Sequence, residues 1–271
     1  MSNLLVRLAT AVVMIPILLG LIFYGPPWGW LAFVSLAAGV GAYEMFGMTH
    51  PGDAVARAAG VVLTIAVTVG LWLGFTRPNV LITLLFVVPL SSLVLTLWRL
   101  GEIPSVALRV AGGAFGPLWV GVGLGACALL KVVGKDDGGG YVVLSLGLAW
   151  IGDTGGYFAG RAFGKHKLYE RVSPKKTVEG AIGGVLATIG FAVAMSLFFI
   201  PSLPVRDAVI LGAVGAVLGI CGDLGESLLK RSVGVKDSGG IVPGHGGILD
   251  RIDALLLTGP TTLLYVLWFG G

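Results

Sequence analysis

The sequence predicts an all-α, polytopic helical membrane protein with about nine transmembrane helices. The first observation is composition: hydrophobic residues make up 56% of the chain and charged residues 12%, whereas a soluble domain carries roughly 25% charged residues. The second is a mean hydropathy of +0.95. The third is that the apolar residues form continuous runs of about 20, the length of a spanning helix. A backbone within lipid must satisfy its own hydrogen bonds, which also favours helices.

Nine apolar runs are separated by turns or polar loops. The predicted spans are 8–24, 28–48, 54–75, 78–98, 106–133, 141–160, 177–200, 206–230 and 252–269. If the N-terminus is cytoplasmic, 14 of the 18 Lys and Arg residues fall on the cytoplasmic side. Because cytoplasmic loops carry an excess of these residues, we predict that the N-terminus is inside and the C-terminus outside.

Charged residues are sparse in residues 1–130 and concentrated in residues 131–271. We interpret residues 1–271 as a single membrane domain with an N-terminal scaffold and a C-terminal catalytic half. The cytoplasmic loops account for the net charge of +4, so nucleic acid is not an expected partner. Cys127 and Cys221 both lie in apolar runs, and no disulfide is predicted.

The stretch 227–253 contrasts with the apolar runs around it. It reads SLLKRSVGVKDSGGIVPGHGGILDRID and combines cations, carboxylates and repeated glycines. Exposed backbone amides and cations bind phosphate groups. Mg²⁺ is typically held by one or two carboxylates together with substrate phosphates and water. The stretch therefore predicts a site for a polyphosphate and its metal ion, and we call it the signature segment.

The eighth span carries four polar residues on one predicted helix face. Asp223, Glu226, Ser227 and Lys230 follow the i, i+3, i+4, i+7 spacing that aligns side chains along a helix. Acids within a span usually face the bundle interior or a cavity, because they are costly in lipid. The face leads directly into the signature segment, which favours a functional role. An internal ion pair that only holds helices together is the alternative.

Four more acids are candidates of unequal weight. Asp153, inside the sixth span, predicts either a substrate contact or a helix–helix hydrogen bond. Asp250 and Asp253 lie three residues apart at the predicted start of the last span, where the helix dipole alone would favour one of them as a cap. Together with Asp223 they form the predicted hard-cation site. Glu44, near the end of the second span, is interpreted as interfacial.

The loop 161–176 holds six Lys and Arg residues. Most of this charge fits the positive-inside pattern and attraction to anionic lipid. Lys175 and Lys176 precede a predicted helix N-terminus, a position that also binds phosphate, so they are candidate contacts for a lipid phosphate. His245 belongs to a glycine-rich run, where a phosphate contact and a loop hydrogen bond are alternatives. The three histidines are too scattered for a zinc site.

The signature segment resembles that of the CDP-diacylglycerol synthases, also called phosphatidate cytidylyltransferases. The matching residues are Ser227, Lys230, Arg231, Lys236, Asp237, Pro243, His245, Gly246, Gly247, Asp250, Arg251 and Asp253. Two upstream blocks, 152–158 and 173–180, are also similar to the family, although Val178 stands where the family usually carries Trp. The resemblance covers the C-terminal half, and the first 130 residues match only as apolar spans.

The resemblance implies that CTP and phosphatidic acid give CDP-diacylglycerol and pyrophosphate in phospholipid biosynthesis. It implies a requirement for Mg²⁺ with K⁺ as a second cation, and a homodimer in membrane lipid, here expected in a bacterial inner membrane. By position, Asp223 and Asp250 would be metal ligands with Asp253 nearby. The predicted contacts to CTP are Lys230, Arg231, Lys236 and Arg251 on its phosphates, with Ser227, His245, Gly246 and Gly247 as further substrate contacts.

Two other functions are consistent with parts of the pattern. A CTP-dependent polyprenol or phytol kinase would share the nucleotide and the metal but needs a base for its alcohol acceptor. An ion-coupled transporter could use Asp153, Asp223 and Glu226 as a relay, but it should show paired broken helices in two corresponding halves. The charge here is concentrated in one half and on one membrane face.

Overall fold

The computed structural model describes residues 3–240 and 246–270, with side chains from residue 12 onward. In the first part of the chain the helices are α1 (Asn3–Phe23), α2 (Pro27–Thr49), α3 (Ala54–Gly74), α4 (Pro78–Trp98) and α5 (Val106–Val133). They are followed by α6 (Gly138–Phe163), strands β1 (Lys167–Tyr169) and β2 (Ser173–Thr177), α7 (Val178–Phe198), α8 (Val205–Ser232), α9 (Leu249–Ile252) and α10 (Leu255–Phe269).

Among the residues whose side chains are described, seven helices, α2 to α8, are long and apolar enough to cross a membrane. Helix α10 and Val12–Phe23, the part of α1 with described side chains, are shorter apolar helices. The predicted class, a polytopic helical membrane protein, is therefore confirmed. The count of nine spans stays a prediction, because a helix of 15 residues such as α10 falls below the length of about 20 that a straight span needs.

The start of the last span differs from the sequence prediction. The last span does not begin as one helix at residue 252: a turn at Asp253 and Ala254 separates α9 from α10. The Asp253 carboxylate accepts a hydrogen bond from the Ala254 amide at 2.7 Å, and such local bonds compete with the helix ladder. Asp250 and Asp253 consequently do not share one continuous helix.

The basic loop 161–176 is also more ordered than predicted. Its second half is an antiparallel hairpin in which Lys167 pairs with Thr177 and Tyr169 with Ser173. The Lys167 ammonium donates to the Pro174 carbonyl at 2.6 Å, which ties the two strands together. The hairpin leads without a gap into α7, so its residues have a fixed path toward that helix.

The chain divides into two compact units. The first contains residues 1–129 and 237–251, and the second contains residues 130–236 and 252–271. The division falls close to the predicted change in charge density at residue 130. Most of the signature segment's glycine-rich part groups with the N-terminal spans, however, and no sequence pattern predicted this association. The single membrane domain stays a prediction.

In the first unit, small residues of α5 lie against its neighbours. A Cβ atom on Gly121 would lie 2.8 Å from Val67 of α3, so the two helices pack at backbone distance, as is common between membrane helices. The Trp30 indole of α2 donates to the Cys127 carbonyl of α5 at 2.8 Å. This bond satisfies the one polar atom of a buried aromatic ring.

A cluster of three charged residues, Asp53, Arg99 and Arg109, lies in the first unit. Asp53 caps α3 by accepting from the Ala56 amide at 3.1 Å, and its two oxygens pair with Arg99 and Arg109, each at 2.7 Å. Burial would raise the pKa of the Asp53 carboxyl, but the bonds from Ala56, Arg109 and Arg99 outweigh burial and lower it to about 2. The cluster therefore keeps Asp53 ionised and ties the start of α3 to α5.

In the second unit, α6 and α7 approach each other along a line of glycines. A Cβ atom on Gly180 would lie 2.8 Å from the Gly156 carbonyl, and one on Gly184 would lie 2.8 Å from the Gly152 carbonyl. Helix α8 packs on both α6 and α7, and α10 packs on α6 and α8. The contact between α6 and α7 therefore brings the C-terminal part of α6 beside the start of α7, where the candidate site lies.

Candidate active site

A cavity of about 390 Å³ lies in the second unit, lined by α6, α7, α8 and the hairpin. Its polar lining residues are Asp153, Tyr157, Arg161, Lys175, Lys176 and Thr177. Its apolar lining includes Leu168, Ala181 and Ile220. Three cations against one carboxylate give the lining a positive charge, so the cavity suits an anionic group attached to an apolar body.

The lysines of the cavity are positioned by the end of β2. Thr177 caps α7, because its hydroxyl accepts a hydrogen bond from the Gly180 amide at 3.1 Å. Glu179, in the first turn of α7, accepts from the Lys165 and His166 amides at 3.0 and 3.2 Å. The start of the loop is thereby fixed to the same helix end. Lys175 and Lys176 thus stand at a helix N-terminus, as the sequence predicted.

Lys176 also reaches the predicted metal ligand of α8. Its ammonium lies 2.5 Å from the Asp223 carboxylate, and the two side chains are 24% and 21% exposed. The Ser227 hydroxyl approaches the other oxygen of Asp223 at 3.4 Å, a long and weak contact. The structure therefore brings together one residue predicted for the lipid phosphate and one predicted for the metal ion.

The polar face of α8 forms as predicted, with one difference in its pairing. Glu226 and Lys230 are buried, at 0% and 7% exposure, and form an i,i+4 ion pair. Lys230 therefore pairs with Glu226, while Asp223 pairs with Lys176. The predicted contact between Lys230 and a phosphate stays a prediction.

The other predicted phosphate-binding cations, at the end of α8 and beyond it, are exposed. The Arg231 guanidinium donates to the Val235 carbonyl at 2.8 Å, which folds the chain back just after the helix. Lys236 and Arg251 are exposed as well. None of these three lines the cavity at α6 and α7, and their assignment to the CTP phosphates stays a prediction. His245 lies outside the described residues.

Asp253 lies on the turn before α10 and is buried. A Cβ atom on Gly222 of α8 would lie 2.5 Å from the Asp253 carbonyl, so glycine at this position lets the turn pack against α8. Gly222 directly precedes Asp223. The backbone of Asp253 is therefore held next to the part of α8 that carries Asp223.

Asp250 belongs to the first unit, where Ser238 and Gly247 contact its carboxylate. One oxygen, Oδ2, accepts from the Ser238 amide at 3.1 Å, the Ser238 hydroxyl at 2.9 Å and the Gly247 amide at 2.8 Å. Gly246 adopts a φ of +81°, which glycine tolerates without strain. Three donors on one oxygen fix the orientation of the Asp250 carboxylate.

The predicted ligands fit a hard cation by their chemistry. Asp223 and Asp250 are held by cationic or hydrogen-bonding partners, and carboxylate oxygens are the ligands that Mg²⁺ prefers. Within residues 3–240 and 246–270, however, no three His, Cys, Asp or Glu side chains are grouped to hold a metal ion. The assignment of Asp223, Asp250 and Asp253 to a metal ion stays a prediction, in which phosphate oxygens and water would supply the remaining ligands.

Glu44 makes contacts that the sequence did not reveal. It is only 4% exposed, and its Oε2 accepts from the Leu249 amide at 2.8 Å and the Ser238 hydroxyl at 3.2 Å. Its predicted place at the membrane interface stays a prediction. Leu249 and Ser238 lie about 200 residues away in sequence, which is why spacing could not reveal these contacts. The available signal was an acid in an apolar span, which by itself marks a candidate functional residue.

Comparison with known proteins extends the resemblance beyond the C-terminal half. Residues 5–269 match the cytidylyltransferase family. The phosphatidate cytidylyltransferase of Pseudomonas aeruginosa is 34% identical over 277 residues, 98% of this chain and 97% of that protein.

Staphylococcal relatives match over a shorter region. The phosphatidate cytidylyltransferase of Staphylococcus haemolyticus is 42% identical over 126 residues, 46% of this chain and 48% of that protein. The one of Staphylococcus saprophyticus is 40% identical over 139 residues, 51% and 53% of the two chains. The chain thus spans about half the length of these curated relatives. Because the family match runs over residues 5–269, the chain belongs to the cytidylyltransferase family.

Proposed function

We propose that this integral membrane protein transfers CMP from CTP to phosphatidic acid, giving CDP-diacylglycerol and pyrophosphate. The observation that carries the proposal is the positively lined cavity in which Lys176 also pairs with Asp223. Such a cavity suits a lipid phosphate beside a carboxylate that could hold a metal ion. The names of the Pseudomonas and staphylococcal relatives support the same reaction.

The reaction requires little acid–base chemistry. An oxygen of the lipid phosphate forms a bond to the α-phosphorus of CTP, the bond from that phosphorus to the β-phosphate oxygen breaks, and pyrophosphate leaves. The main difficulty is that two anions must approach each other, so catalysis depends on positioning and charge neutralisation. Arg161, Lys175 and Lys176 would bind the lipid phosphate, while the apolar side of the cavity faces the glycerol and acyl part.

The signature segment would bind the nucleotide. Lys236, Arg231 and Arg251 are exposed cations that would hold the triphosphate, and backbone amides of the glycine-rich run would add further donors. The proposed ligands for Mg²⁺ are the carboxylates of Asp223, Asp250 and Asp253, with K⁺ proposed as a second cation; a divalent ion there would neutralise phosphate charge and align the attack.

We further propose that the protein is a homodimer in a bacterial inner membrane, with its active site facing the cytoplasm. The distribution of Lys and Arg supports an N-terminus inside and a C-terminus outside. A cysteine placed at position 166 in a cysteine-free background should react with a membrane-impermeant maleimide only when the cytoplasmic side is accessible. Labelling from the outside would reverse the proposed orientation.

The activity itself is tested with labelled CTP and detergent-solubilised protein. Label in the α-phosphate should enter a lipid product when phosphatidic acid and Mg²⁺ are present, whereas label in the γ-phosphate should leave as pyrophosphate. Transfer of γ-label to a polyprenol or phytol would instead identify a kinase. If CTP is not consumed at all, the proposed activity is wrong.

A further inference from the structure

Glu44 of α2 is buried and contacts residues of the signature segment. Both these residues and α2 belong to the first unit. The Glu44 Oε2 accepts from the Leu249 amide at 2.8 Å and from the Ser238 hydroxyl at 3.2 Å. One carboxylate oxygen thereby contacts both Ser238 and Leu249, which are 11 residues apart in the sequence.

The segment has glycine where it passes over this carboxylate. A Cβ atom on Gly239 would lie 2.4 Å from Glu44 Oε1, and one on Gly247 would lie 2.5 Å from Glu44 Oε2 and 2.2 Å from the Ser238 hydroxyl. Contacts this short do not occur in folded proteins, so a side chain at either position would displace the carboxylate or the loop. Gly239 and Gly247 therefore leave the space that the Glu44 carboxylate occupies.

Ser238 connects Glu44 to Asp250. Its hydroxyl lies 3.2 Å from Glu44 Oε2 and 2.9 Å from Asp250 Oδ2, and its amide donates to the same oxygen of Asp250 at 3.1 Å. A hydroxyl carries one proton, which the two carboxylates share. The orientation of Asp250 thus depends on a serine that Glu44 holds on the other side.

Burial of the Glu44 carboxylate in this position lowers the stability of the fold, so stability alone does not explain it. Within the described residues, Glu44 Oε1 is buried without a hydrogen-bond partner, and none of their Lys, Arg or His side chains forms an ion pair with Glu44. A buried carboxylate with an unsatisfied oxygen costs free energy, and an uncharged residue of the same size would avoid that cost. Its contacts to Ser238 and Leu249 instead point to a role in placing the loop.

We propose that Glu44 is a positioning residue that sets the orientation of Asp250 through Ser238 and anchors the start of α9 through the Leu249 amide. This proposal uses the proposed function only for the role of Asp250 in binding the metal ion. Glu44 itself touches neither substrate nor metal in this scheme. It acts by limiting where the Asp250 carboxylate can point.

Hydrogen–deuterium exchange tests the contact without any turnover. In Glu44→Ala the Leu249 amide loses its acceptor, so peptides covering residues 246–252 should exchange about tenfold faster or more, since one hydrogen bond to a charged group corresponds to about that factor. Glu44→Gln keeps an oxygen acceptor and should restore most of the protection. Asp53→Asn, which alters another buried acid of the same unit, should not speed exchange selectively in these peptides, so it separates a local loss of protection from a general loss of stability. Unchanged exchange in Glu44→Ala would refute the contact.

Metal dependence tests the consequence. Glu44→Ala should raise the Mg²⁺ concentration for half-maximal activity and lower kcat about tenfold or more, with the KM for phosphatidic acid unchanged. Ser238→Ala removes only the connecting hydroxyl, so it is expected to fold and to shift the Mg²⁺ dependence in the same direction. Binding of Mn²⁺ measured by electron paramagnetic resonance without substrates should weaken in both variants.

The outcomes separate this proposal from the proposed function. If the wild type shows no transfer from CTP, the function is wrong, but exchange and Mn²⁺ binding still test the role of Glu44. If the wild type is active while folded Glu44→Ala and Ser238→Ala both keep its Mg²⁺ dependence and Mn²⁺ affinity, Glu44 does not position Asp250.

Discussion

The pair formed by Lys176 and Asp223 predicts a specific effect of removing the lysine. At 2.5 Å and an effective dielectric constant of 20, two unit charges attract each other by about 7 kcal/mol. Desolvation and exposure of about a quarter of each side chain offset much of this attraction. A net contribution of roughly 1.5–3 kcal/mol is typical of a hydrogen bond between charged groups.

Lys176→Ala should therefore weaken catalysis while it strengthens the apparent affinity for Mg²⁺. The cavity loses a cation that would bind the lipid phosphate, so kcat/KM for phosphatidic acid should fall about ten- to a hundredfold. Asp223 loses its competing ammonium, so the Mg²⁺ concentration for half-maximal activity should decrease. A residue that only supports the fold would not tighten the apparent Mg²⁺ affinity.

The assay is steady-state kinetics in mixed micelles, with CTP, phosphatidic acid and Mg²⁺ varied separately. Lys175→Ala is the matched control, because Lys175 lines the same cavity but does not form the pair with Asp223. We expect it mainly to raise the KM for phosphatidic acid and to leave the Mg²⁺ dependence unchanged. A higher Mg²⁺ requirement in Lys176→Ala, or an equal shift in both variants, would refute the competition between Lys176 and the metal ion.

Three further predictions concern the proposed metal ligands, Asp53, and the ion pair between Lys230 and Glu226. Asp223→Asn and Asp250→Asn should each abolish transfer from CTP while gel filtration still shows folded protein; near-normal turnover would remove that residue from the metal ligands. The pKa of Asp53 is lowered from 3.8 to about 2, so its pairs should stabilise the fold by about 2 kcal/mol above pH 4. The stability difference from Asp53→Asn, measured by thermal unfolding in detergent, should shrink as the pH falls toward 2. Lys230→Met should destabilise by about 3–5 kcal/mol because it removes the ammonium that forms the buried ion pair with Glu226, and adding Glu226→Gln should restore the melting temperature but not kcat if Lys230 also binds phosphate.

The structural features that the sequence predicted correctly are those that depend on local periodicity. The fourth span, 78–98, matches α4 at both ends, because Pro78 begins the helix and a continuous apolar run follows. The polar face of α8 also follows from spacing alone, since residues three and four apart in a helix are neighbours. Both features need only residues that are close in sequence.

Contacts between distant residues were not predictable in this way. Glu44 and Ser238 are 194 residues apart, and no period or motif connects them. The hairpin at Lys167–Thr177 was not predicted because its lysines also fit the positive-inside pattern. That pattern accounts for the positive charge of a loop and does not indicate any secondary structure in it. The turn at Asp253 was missed because an apolar run continues through it, and only a local side-chain bond interrupts the helix.

The buried acids differ in how their charge is compensated, and that difference separates their roles. Asp53 has two arginines and a helix cap, and Glu226 has a lysine one turn away, so each is neutralised within the part of the fold that carries it. Glu44 is buried against the backbone and hydroxyl of a glycine-rich loop, with one oxygen unsatisfied among the described residues. In an apolar membrane domain an acid without a cation is costly. The contacts of Glu44 therefore point to a role in positioning Ser238 and, through Ser238, Asp250.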